Sequence, residues 1–208
     1  MNSSDSIQRG AIREVASIRN THTVTSAAIL AAISFALAFF EFPVPLSPSF
    51  AKMDLSDFPA LVGAMTLGPW AGVAGELVKN LLGLLSTSTG GVGELGNFLM
   101  GGSLAFTAGL VYYQRNGNAW LACGLGSIAM AVTAALTNYF ILLPLFEGFM
   151  PLDALITSFA EFIPFIHTKL DVVLWNAIPF NLLKGLGISL VTMLVSPKLT
   201  PILRGPAR

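Results

Sequence analysis

The chain has 208 residues, 54% of them hydrophobic, and a mean hydropathy of +0.73. Charged residues make up 11%, less than half the roughly 25% of a soluble domain, and 11 bases balance 11 acids, so no excess charge recruits nucleic acid. The lone Cys123 excludes an intramolecular disulfide and reads as packing.

Several apolar stretches reach the roughly 20 residues that span a bilayer, so the composition predicts an all-α integral membrane protein. Residues 1–22 are polar and carry Arg9, Arg13, Glu14 and Arg19. The apolar run after them continues to Phe42 without a small-residue cleavage site. That pattern predicts a cytoplasmic tail or an amphipathic surface helix rather than a signal peptide. The first span is residues 24–42. Its Ala27, Ala28, Ala31 and Ala32 form two interleaved small-xxx-small patterns, suited to close packing inside the bundle or to docking another membrane protein.

A loop follows that Pro43, Pro45 and Pro48 stiffen. It ends in the polar insertion Lys52-Met53-Asp54-Leu55-Ser56-Asp57-Phe58-Pro59. Phe50, Met53 and Leu55 are apolar, and Met53 and Leu55 alternate with polar neighbours, the pattern of a lid with one apolar side. Ser56 or Asp57 ahead of Phe58-Pro59 predicts an N-cap, and Asp57 is expected to be that cap rather than a ligand contact.

The second span, 58–67, stops at Gly68-Pro69. The third is 71–85, followed by a Ser/Thr/Gly loop. The fourth is 95–113, closed by Gln114-Arg115-Asn116-Gly117-Asn118. The fifth, 119–143, is expected to end at Pro144. A semi-polar stretch, 146–171, is expected to hold a partial helix. The sixth span, 172–195, is expected to end at Ser196-Pro197. The organisation is thus a cytoplasmic segment 1–22, a six-helix membrane domain 23–197 and a cytoplasmic tail 198–208.

Loop charge orients these spans. With six, both termini share a side with Arg9, Arg13, Arg19, Arg115, Lys198, Arg204 and Arg208. The opposite loops hold only Lys52 and Lys169 as bases, with Asp54, Asp57, Glu147, Asp153, Glu161 and Asp171. The positive-inside rule makes both termini cytoplasmic and the 52–59 insertion external.

Motif absences narrow the chemistry. No P-loop, His-Glu-x-x-His or Cys/His cluster is present, so neither an enzyme nor a metal site is expected. Polar residues inside spans mark a functional site by default. They are Asn138 in the fifth span, Asn181 and Lys184 in the sixth, Asn97 and Glu94 at the start of the fourth, and Glu76, Lys79 and Asn80 in the third. Asn181 and Lys184 share a helix face, which suits a neutral ligand rich in carbonyls or hydroxyls. A structural ion pair of Lys184 with Glu76, Glu94 or Glu161 is the competing reading. Glu76 and Lys79, three apart, read as a self-neutralised structural pair.

Several segments together resemble the riboflavin-specific S components of energy-coupling factor (ECF) transporters: Lys52-Met53-Asp54-Leu55-Ser56-Asp57-Phe58-Pro59, Leu67-Gly68-Pro69-Trp70, Val78-Lys79-Asn80-Leu81-Leu82, Gly93-Glu94-Leu95-Gly96-Asn97-Phe98 and Pro179-Phe180-Asn181-Leu182-Leu183-Lys184-Gly185. The resemblance implies a six-helix plasma-membrane subunit that binds riboflavin, or its phosphate FMN, as a transported substrate rather than a cofactor. It implies a partner module of one transmembrane coupling subunit and two ATP-hydrolysing subunits, docked through Ala27, Ala28, Ala31 and Ala32. The implied substrate contacts are Glu94, Asn97, Asn138, Asn181 and Lys184, with Met53 and Leu55 as apolar cover. A self-sufficient secondary transporter of a small neutral metabolite is the alternative, separated by whether uptake needs ATPase subunits.

Overall fold

In a computed structural model, which describes residues 21–43, 52–115 and 117–204, the apolar runs fold as helices bounded by residues that start or stop one. Helix α1 is Thr21–Ala38. Phe42 and Pro43 then pair antiparallel with Met53 and Lys52 in a two-residue ladder. Helix α2 is Asp57–Thr66 and α3 is Pro69–Gly83. Between them Gly68 adopts φ 127°, a conformation that a side chain would strain, and Pro69 opens α3 where its missing N–H costs nothing.

Helix α4, Val92–Gln114, is entered through Gly91 in the left-handed region. Helix α5 is Ala119–Phe146, capped by Asn118, whose side chain accepts the Leu121 N–H at 3.0 Å. Helix α6 is Leu152–Ala160. Helix α7, Lys169–Leu203, starts at a reciprocal capping box of Thr168 and Asp171. Both α5 and α7 widen into a π turn, at Asn138–Leu142 and Val173–Ala177, and the two turns touch.

The chain is helical as expected, and α6 is the partial helix of the 146–171 stretch. Two expected stops are not stops. Pro144 lies inside α5, just past the π turn, where the Leu143 N–H already reaches back to Asn138 O. The ladder changes register there, so the missing proline N–H falls where the bonding is already irregular. Ser196-Pro197 does not end α7 either. The helix carries Pro197 and Pro201 in its last two turns, and Thr200 Oγ1 donates to Ser196 O at 2.7 Å.

By length and composition α1, α4, α5 and α7 are able to cross a membrane. At 10 and 15 residues, α2 and α3 are shorter than the usual span. Short α2 is the centre of the bundle: residues 59–66 are all buried, against α1, α3, α4 and α7. Its Leu61 and Met65 join Leu104, Cys123, Met130 and Ile188 in the main core. A second cluster, with Leu143, Leu155, Phe159 and Val173, pins α6 over the junction of α5 and α7. The segment before residue 21, the loop residues Pro45, Pro48 and Phe50, and the tail beyond residue 204 lie outside the described residues.

Candidate functional site

Asp57 opens α2 but does not cap it. The backbone of Ser56 is already helical and makes no side-chain cap bond. Asp54 closes the turn instead, its Oδ1 accepting the Ser56 N–H at 2.7 Å. Asp57 therefore points inward, with 1% of its surface exposed. Its Oδ1 accepts from Lys79 Nζ at 2.5 Å. Its Oδ2 stands 2.9 Å from Lys184 Nζ, an ion pair by distance without hydrogen-bond angles. Lys79 also contacts Glu76 Oε2 at 2.7 Å and donates to Ser56 Oγ at 3.1 Å.

The expected Glu76–Lys79 pair exists, but as part of a four-charge cluster rather than self-neutralised. The partner of Lys184 is Asp57, not Glu76, Glu94 or Glu161. Burial forces this arrangement. Two ammonium groups out of water need two carboxylates within reach. Gly101 of α4 makes room for the cluster, since a Cβ there would stand 2.6 Å from Glu76 Oε2 and 3.2 Å from Asp57 Oδ1.

The cluster borders a cavity of about 340 Å³ between α1, α3 and α4. Phe35 and Phe39 of α1 form an aromatic wall, edge to face at 5.1 Å. Lys79, Asn80, Glu94 and Asn97 form a polar wall, and Glu41, Asp54, Ser86 and Ser88 also line it. Two bonds tie the wall to the buried charges. Lys184 donates to Asn97 Oδ1 at 3.0 Å, and Asn80 Nδ2 donates to Glu76 O at 2.8 Å and Glu76 Oε2 at 3.3 Å. Glu94 Oε2 accepts from Thr87 Oγ1 at 2.9 Å and Thr89 Oγ1 at 3.2 Å, which orders the loop at the edge of the cavity.

Of the residues expected at the site, Glu94 and Asn97 line this cavity, and Lys184 lies one hydrogen bond behind Asn97. Met53 is half-buried in the ladder and Leu55 is exposed, on either side of the lining residue Asp54. Asn138, in the π turn of α5, and Asn181, one turn beyond that of α7, are not among the residues lining this cavity. Each donates to a carbonyl four residues back, Ala134 O at 2.8 Å and Ala177 O at 2.9 Å. Sequence reasoning did not place Phe35 or Phe39 at the site, and it named Asn80 only as a polar residue inside the third span, not as a substrate contact. The four alanines of the small-xxx-small patterns divide: Ala31 is buried and Ala27 packs on the Leu30–Leu67–Ala71 cluster, whereas Ala28 and Ala32 face outward.

A family profile described as ECF transporter, substrate-specific component, matches residues 22–196. The riboflavin transporter RibU of Staphylococcus aureus (strain TCH60) is 36% identical over 179 residues, covering 85% of this chain and 89% of that protein. The riboflavin transporter FmnP of Bacillus subtilis (strain 168) is 32% identical over 178 residues, covering 83% and 89%. A solved structure of the S component of a bacterial ECF transporter superposes with a TM-score of 0.70 at 31% identity, covering 88% of this chain and 98% of that one.

Proposed function

The chain belongs to the family of ECF transporter substrate-specific components, and from that premise we propose that it is the riboflavin-binding membrane subunit of an ATP-dependent vitamin importer. The observation that carries this is the cavity itself. An aromatic wall faces a polar wall that holds two amides, and the lysines nearby are already neutralised by buried carboxylates. Such a site suits a flat, uncharged ring with a polar edge, which is what riboflavin presents.

In this reading Lys184, with three protons and two partners, turns its third donor to a ring carbonyl. Asn181 assists it. Asn97, Asn138 and Glu94 meet the ring edge or the ribityl hydroxyls, and Met53 and Leu55 cover the ligand. Six helices, α1 to α5 and α7, make the membrane domain, while α6 lies at the outer surface. The short α2 fits this because its residues 59–66 are buried against other helices rather than lipid. Both termini are cytoplasmic, and the vitamin enters from outside. The outward face of α1, with Ala28 and Ala32, meets a coupling subunit that carries two ATPases.

Titration of the purified protein with riboflavin tests the assignment. Saturable quenching of flavin fluorescence at one site per chain is expected, and a parallel FMN titration reads whether the phosphate is tolerated. Absence of both quenching and co-purified yellow flavin would sink the proposal.

A further inference from the structure

Hydrogen-bond polarity fixes what two cavity amides can offer. An ammonium group only donates, so the atom of Asn97 that meets Lys184 is its carbonyl oxygen, and its NH₂ is left for the cavity. A backbone carbonyl and a carboxylate only accept, so the atom of Asn80 that meets Glu76 is its NH₂, and its carbonyl oxygen is left over. Neither leftover atom has a hydrogen-bond partner among the described residues. Reversing either amide would set donor against donor or acceptor against acceptor beside a buried charge.

We infer that Asn80 and Asn97 are specificity-determining residues, one a fixed acceptor and the other a fixed donor, matched to the adjacent N–H and carbonyl of an imide edge on the substrate ring. Glu76 positions the first. Asp57 positions the second through Lys184. This rests on the riboflavin reading, since the pyrimidinedione edge of a flavin carries that N–H and carbonyl.

The test compares riboflavin with N3-methylriboflavin, in which the imide N–H is blocked. Affinities are read by fluorescence quenching and folding by thermal unfolding in detergent. In the unsubstituted protein the methyl group is expected to weaken binding about tenfold or more, the value of one hydrogen bond to a buried partner. In Asn80→Ala the methyl penalty is expected to fall below about threefold, because the acceptor that the imide N–H would meet is already gone. Asn97→Asp keeps an oxygen for Lys184, so unfolding is expected to be unchanged or later while riboflavin affinity drops about tenfold or more. An equal methyl penalty with and without Asn80, or full affinity in Asn97→Asp, overturns the inference. If Asn80→Ala does not fold, Asn97→Asp decides alone. No riboflavin binding by the unsubstituted protein overturns the flavin reading and this inference together, an outcome distinct from the other two.

Discussion

Asp57 shows what a buried charge demands of its surroundings. It has 1% exposure and lies between two ammonium groups, so without it Lys184 would lose its ion-pair partner and Lys79 would keep only Glu76. Asp57→Ala is expected to cost about 3–5 kcal/mol of stability, the range for breaking one side of a buried pair. The double variant Asp57→Ala, Lys184→Met removes one charge of each sign and is expected to recover part of that loss. Thermal or denaturant unfolding in detergent reads both, and a single variant as stable as the parent would mean the cluster is dispensable. Lys184→Ala should weaken riboflavin binding by about 1.5–3 kcal/mol, the worth of a hydrogen bond to a charged group. Unchanged affinity would remove Lys184 from the site. The sequence misled at Asp57 because its neighbours describe a helix start, and local spacing is silent about a lysine in the last helix. Glu76–Lys79 was legible because both partners sit on one helix, three residues apart.

Helices are where the sequence was most legible and where its limits are clearest. Hydropathy located α1, α4, α5 and α7, because an apolar run long enough to span has few other folds available. Helix ends were harder to place, since a π turn or the last turns of a helix absorb a proline that would stop an ordinary one. Packing distance was not legible at all. Gly72 of α3 touches α2 so closely that a Cβ would stand 2.5 Å from Ala64 Cβ and 2.8 Å from Ala60 O, a backbone atom that cannot yield. Gly124, in α5, has nothing within 4 Å of the same position. Gly72→Ala is expected to push α2 and α3 apart at a cost of about 1–3 kcal/mol. Gly124→Ala is expected to stabilise by roughly 0.5–1 kcal/mol, through helix propensity alone. Unfolding measured on the pair separates the two causes. Equal effects would show that close approach is not what holds the glycine in α3.

At the scale of the whole molecule the two ends of the bundle differ in charge, and the contacts say which segments share an end. Phe149, after α5, lies against Gly90, before α4, so these connections share an end with the cavity. Glu147, Asp153, Glu161 and Asp171 are found there. Leu203 packs with Leu67 between α2 and α3, so the end of α7 lies at the opposite face, where Lys198 is exposed. Basic residues mark the cytoplasmic end of a membrane bundle. That rule predicts an external acidic end, and under the proposed function the cavity then opens on the side from which the vitamin arrives. Because Cys123 is the only cysteine and is buried, Cys123→Ala gives a thiol-free background. On it, Asp153→Cys is expected to react with a membrane-impermeant maleimide in intact cells, and Lys198→Cys only after permeabilisation. Labelling of both from outside would break the six-span arrangement, and the reverse pattern would invert it. Only the reverse pattern would place the cavity on the wrong side for the proposed uptake, because a substrate-capturing subunit must meet its vitamin outside the cell.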